Sequence, residues 1–112
     1  MTEETRVLSQ GLLGTGKQTI CGPVAPKIQL NVERLTLVNA GALQTSVNLY
    51  LRSATGASNR MVPKDMLMDP GDTLVVLEHG ERIGLPAGYF IEGDADQPSA
   101  IEFTAAGIAY GP

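Results

Sequence analysis

The sequence predicts an all-β fold: a single antiparallel β-sandwich of about seven or eight strands with a flexible N-terminal arm. Three observations predict it. Short runs of Val, Leu, Ile and Thr are separated by turn clusters through the last eighty or so residues. Ile28, Leu30 and Val32 alternate with polar residues, as do Val47, Leu49 and Leu51. That period of two is the signature of a strand with one face buried. No helical periodicity runs longer than about two turns.

The elements follow in order. Residues 1–16 read as an arm or an edge strand, and residues 17–112 as the sandwich domain. Thr2 to Arg6 is polar, Val7-Leu8 can add one short strand, and Gly11 to Gly16 reads as a flexible link. Gln18-Thr19-Ile20-Cys21 is a strand stopped by Gly22-Pro23. The alternation from Ile28 to Val32 loses phase at Glu33-Arg34, and Leu35 and Leu37 then point inward. A one-residue slip of this kind predicts a β-bulge. Val47, Leu49 and Leu51 face the core, leaving Asn48, Tyr50 and Arg52 on the outer face. The short connection from Ala40 to Thr45 predicts that these two strands form a hairpin.

Arg60 to Met68 reads as one further strand. Thr73 to Leu77, nearly all β-branched or Leu, reads as a strand buried on both faces. Before it, Asp69-Pro70-Gly71-Asp72 is a turn: proline presets φ, glycine accepts positive φ, and the aspartates bond backbone N–H groups. Leu85-Pro86-Ala87-Gly88 repeats the device ahead of Tyr89 to Glu92, and Ala100 to Thr104 supplies a last strand. The predicted core comprises Leu35, Leu37, Val47, Leu49, Leu51, Leu74, Val76, Ile91, Ile101 and Phe103.

Composition narrows the function classes. With 112 residues and 43% apolar content the chain can bury one core. The apolar runs are far shorter than the ~20 residues of a membrane helix, so no membrane partner is expected. Met1 to Gln10 has no apolar run of the kind a secretory signal carries. Net charge is −4 and the Lys and Arg residues are scattered singly, which argues against nucleic acid. Cys21 is the one cysteine, so no disulfide can form within the chain.

No catalytic, cofactor-binding or metal-binding residues are predicted, and the protein reads as no enzyme. Gly11 to Lys17 has the G-x-x-x-x-G-K spacing of a phosphate-binding loop, but Gln18 stands where Ser or Thr holds magnesium. No buried strand precedes the stretch and no helix can follow it through Gly22-Pro23. His79, the one histidine, falls in the polar turn Glu78 to Arg82 with no nucleophile beside it. Asp94 and Asp96 offer two carboxylates where calcium needs six or more oxygens. Tyr50 is a single outer-face aromatic, suited to a rim or interface and short of a sugar-stacking platform.

The order of elements resembles a family. Leu35-Thr36-Leu37-Val38-Asn39 ends a strand in an Asn turn, and Val47-Asn48-Leu49-Tyr50-Leu51 follows as an alternating strand. Met66 to Leu74 runs through a Pro-Gly turn, Leu85 to Ile91 couples a Pro-Ala-Gly turn to an aromatic run, and Ala100 to Tyr110 closes the chain. Over residues 17–110 this is similar to small virion proteins of tailed bacteriophages. Pro23-Val24-Ala25-Pro26-Lys27 departs from the family's Val-Pro-Ala-Gly-Lys turn by a second proline.

The resemblance implies a β-sandwich subunit that decorates or cements the capsid, or belongs to the neck, collar or tail. It implies other virion proteins and copies of the chain itself as partners, with synthesis in the bacterial host cytoplasm. The alternative is a small ligand- or carbohydrate-binding module of a receptor-binding appendage. The candidate assembly contacts are Val7, Leu8, Leu12, Leu13 and Tyr50. An arm of this kind can be deleted through residue 13 without loss of the sandwich.

Overall fold

A computed structural model describes residues 6–77 and 81–111. All its regular elements are strands: β1 (Arg6–Leu12), β2 (Gln18–Cys21), β3 (Gln29–Asn39), β4 (Thr45–Arg52), β5 (Ser58–Arg60), β6 (Met66–Met68), β7 (Thr73–Val75), β8 (Ile83–Leu85), β9 (Phe90–Ala95) and β10 (Ile101–Tyr110). They form two antiparallel five-stranded sheets packed as a sandwich. The first sheet runs β1-β10-β3-β7, with β8 also pairing β3; the second runs β2-β9-β4-β5, with β6 also pairing β4.

The count of ten exceeds the seven or eight expected because short strands escape a periodicity reading. The run from Arg60 to Met68 splits into β5 and β6. Pro63 has no N–H to give a ladder, and Asp65 takes a φ of 51°. Ile83–Leu85 is only three residues long, yet Leu85 is fully buried.

The interior lies between the sheets. Leu35 and Leu37 of β3, Val47 and Leu49 of β4, and Ile91 and Ile101 are all fully buried, and Phe103 nearly so. Leu51, Leu74 and Val76 are half-buried and pack against this cluster. Leu49→Ala is expected to cost about 2–5 kcal/mol, read from a chemical denaturation midpoint.

The phase slip in β3 is a bulge. Ala106 opposes Arg34 and Gly107 opposes Val32, so Glu33 is the unmatched residue. Both proline turns also form as their residues require. Gly71 has a φ of 85°, the Asp72 N–H donates to the Asp69 carbonyl at 2.9 Å, and the Asp69 N–H donates to Asp72 Oδ2 at 2.8 Å. Gly88 has a φ of 82°, and the Tyr89 N–H donates to the Pro86 carbonyl at 3.1 Å.

Three expectations are corrected. First, β3 and β4 are not a hairpin: they lie in opposite sheets, and Ala40 to Gln44 arches between them. Buried Asn39 turns the chain, donating from Nδ2 to the carbonyls of Leu43 and Met68, both at 2.9 Å. Its Oδ1 accepts the Gly41 N–H at 3.0 Å.

Second, β7 is an edge strand bonded to β3 alone, with Thr73 and Val75 exposed rather than buried on both faces.

Third, of the two readings of residues 1–16 the described part takes the edge strand, and Gly11 to Leu13 is not part of a flexible link. Arg6–Leu12 pairs with β10 as the edge strand of the first sheet. Leu13 is 1% exposed, and its N–H donates to the Ile101 carbonyl at 2.9 Å. The Gly14 N–H donates to Gln18 Oε1 at 2.8 Å, Gln18 Nε2 donates to the Leu12 carbonyl at 2.6 Å, and the Ser9 hydroxyl reaches the Ile20 carbonyl. Deleting residues 1–13 would therefore strip an edge strand and a core leucine, and destabilise the sandwich.

Candidate interaction faces

The two outer faces differ in chemistry. On the second sheet, β4 and β9 place Asn48 opposite Asp94, Tyr50 opposite Glu92 and Arg52 opposite Phe90. The alternation that buries Val47 and Leu49 puts these polar residues outward. They are nevertheless covered, because they cover one another.

Asn48 is the hub. Its Nδ2 donates to Asp65 Oδ1 and Asp94 Oδ1, each at 3.0 Å. Its Oδ1 accepts from an Arg60 guanidinium nitrogen at 2.8 Å and from the Asp65 N–H at 2.9 Å. An amide has four such positions, and all are used. Asn48→Ala would remove four hydrogen bonds at once from the centre of this network. The expected cost is about 1–3 kcal/mol, measured by thermal or denaturant unfolding.

The rest of the face is largely engaged within the chain, with the buried Arg52 Nε left without a hydrogen-bond partner. Arg52 and Glu92 form a salt bridge at 2.8 Å, and the Arg52 guanidinium sits over the Phe90 ring at 5.7 Å. Tyr50, only 9% exposed, has Lys17 Nζ at 4.3 Å and the Arg60 guanidinium at 5.1 Å from its ring centroid. A sugar stacking on Tyr50 would first have to displace these cations.

The outer face of the first sheet is different. Register sets three rows across it. Leu12, Glu102, Val38 and Thr73 form one; Gln10, Thr104, Thr36 and Val75 the next; Val7, Ala106 and Arg34 the third. Val7 is 60% exposed, Val75 49% and Leu12 45%. The two charges in these rows, Arg34 and Glu102, are both exposed. A face this rich in Val, Leu, Thr and Ala has little to hold water and much to gain by being covered.

The predicted contact residues therefore divide. Val7 and Leu12 lie on this open face. Leu8 is half-buried against the core, Leu13 is inside it, and Tyr50 is beneath its own cations. The additional open-face residues Thr36, Val38, Thr104 and Ala106 become visible as one surface only once register is known.

The remaining candidates have structural surroundings. Gly11 to Lys17 leads from β1 into strand β2, so the stretch has a strand where a phosphate loop has a helix. Asp94 Oδ1 accepts from Asn48, and Asp96 Oδ1 accepts the Ser46 N–H at 2.9 Å. Among the described residues no group of three or more His, Cys, Asp or Glu side chains could hold a metal ion, and no helix is long and apolar enough to cross a membrane. Cys21 is buried, and burial raises its thiol pKa above the ordinary value. His79 lies outside the described residues. No protein-family model, curated protein or solved structure matches the chain.

Proposed function

We propose that the protein is a non-enzymatic structural subunit that works through protein–protein contacts in a tailed-bacteriophage particle. It decorates or cements the capsid, or forms part of the neck, collar or tail. The observation that carries the assembly reading is the contrast between the faces. One has its polar and charged side chains engaged with each other, and the other leaves Val7, Leu12 and Val75 open. The resemblance in element order supplies the particle. Its partners are the major capsid or neck and tail proteins together with copies of itself, met after synthesis in the bacterial host cytoplasm.

The test is direct. Particles from the organism that encodes the chain are purified on a density gradient and probed with an antibody against it. The chain is expected to band with intact particles at a fixed ratio to the major capsid protein. Particles devoid of it, with all of the chain left in the particle-free fraction, would overturn the reading.

A further inference from the structure

We propose that the outer face of the first sheet is self-complementary and pairs with the same face of a second copy, with Arg34 of each copy meeting Glu102 of the other. The proposal rests on the structural-subunit reading and names the surface and the partner.

The argument starts from register. Arg34 of β3 stands beside Ala106 of β10, and Glu102 lies four residues back along β10. At about 3.4 Å per residue and about 4.8 Å between strands, the two Cα atoms are roughly 14 Å apart. That is too far for an ion pair within one chain. Among the described residues neither side chain has an ion-pair or hydrogen-bond partner, and both are exposed.

Between the two charges lies an uncharged strip, Thr36 and Val38 on β3 with Thr104 and Ala106 on β10. A two-fold axis in the plane between two such faces, passing over the Thr36–Thr104 pair, exchanges the positions of Arg34 and Glu102. One operation therefore makes two opposite-charge contacts and stacks the Thr, Val and Ala strip on its own copy. This is the isologous arrangement that two-fold dimers use. The half-buried Thr and Val side chains suit the close, flat packing of sheet on sheet.

Size agrees with this. Strands of seven, ten, eleven, three and three residues, at about 3.4 Å per residue and about 4.8 Å between strands, give a footprint of roughly 550 Å², of the order an interface needs. A standard interface buries about 800 Å² of accessible surface on each partner. The opposite face of the sandwich offers no equivalent, because Arg52 there already meets Glu92, and Arg60 and Lys17 are held on Asn48 and the Tyr50 ring.

Sedimentation of the full chain across a concentration series tests the pairing, with Arg34→Glu, Glu102→Arg and the double reversal measured beside it. The natural chain is expected to show a monomer–dimer equilibrium. Each single reversal turns both contacts repulsive and should weaken association by at least about tenfold. The double reversal restores the opposite charges and should return the dissociation constant to near its original value. Val75→Lys, which leaves both charges in place, should also weaken association.

Circular dichroism melts confirm that each variant is folded, and the double reversal is itself a check, since a folding defect would not be rescued. A dimer with unchanged affinity in both single reversals would overturn this face while leaving the structural-subunit reading intact. A chain that stays monomeric throughout would overturn the pairing, and the particle-banding experiment would still decide the broader reading independently. Banding failure with a rescued dimer would do the reverse.

Discussion

Gly107→Ala is expected to destabilise the protein by more than about 3 kcal/mol, and Gly107→Val to prevent stable folding. A Cβ at Gly107 would overlap the Asn31 carbonyl oxygen, and it would lie 2.9 Å from Asn31 C and 3.0 Å from Val32 Cα. These atoms are backbone in a paired strand and cannot rotate away. The cause is the bulge: Glu33 has no partner on β10, so β3 closes on Gly107 where the register steps from Arg34 to Val32. Ordinary overpacking costs about 1–3 kcal/mol because side chains give way, and here none is available to do so.

Domain stabilities run to about 5–15 kcal/mol, so a loss of this size removes much of the total. The melting temperature should fall by more than about 12 °C. Gly16→Ala is the control. A Cβ there meets nothing within 4 Å, and stability should stay within about 0.5 kcal/mol. Equal melting temperatures for the two alanine variants would show that the close approach at the bulge does not constrain the fold.

The bulge was legible in the sequence because it changes which residues are apolar. Val32 and Leu35 are both buried, an odd spacing that a strand with a strict period of two cannot produce. The proline turns were legible for a similar reason, since each residue type answers a particular backbone demand. What alternation does not carry is the identity of the neighbouring strand. Five residues between two strands suit a hairpin within one sheet or an arch between two, and only Asn39's buried partners decide it here.

The same gap hid the candidate face. Thr36, Thr104 and Ala106 are the unremarkable half of their alternations, and they become a surface through register alone. Leu13 is buried where Leu12 is exposed, and a Leu-Leu pair between glycines has no period that tells the two apart. Thr73 to Leu77 reads as a central strand and yields only the edge strand Thr73–Val75, because a β-branched run looks alike at an edge and in a centre. Alternation places Tyr50 on the outer face, but its cover comes from Lys17 and Arg60, whose approach no local period announces.

Asn39→Ala is expected to cost about 2–4 kcal/mol, and Asn39→Asp to make stability fall as pH rises. Asn39 is fully buried where the chain leaves the first sheet for the second. Its Nδ2 binds the Leu43 and Met68 carbonyls together, so one amide fastens the arch to β6. Its backbone is equally committed: the N–H donates to the Asp72 carbonyl at 2.9 Å, and the carbonyl accepts the Gly71 N–H at 2.8 Å. Alanine keeps the backbone bonds and removes all three side-chain hydrogen bonds from the interior, at about 1–3 kcal/mol, with a small cavity added.

Aspartate sharpens the test. An ionised carboxylate would face two carbonyl oxygens, whereas a protonated one can still donate to one of them. Folding therefore favours the protonated form and raises the carboxyl pKa above its unfolded value of about 3.9. Above that value the native state binds more protons than the unfolded state, so stability falls as pH rises toward the folded pKa. Denaturation midpoints of Asn39→Asp should be highest near pH 4 relative to the natural chain, and should drop steadily toward neutrality. A difference that stays flat over that range would mean that the Asn39 side chain is open to water, and that something other than this amide holds the arch between the sheets.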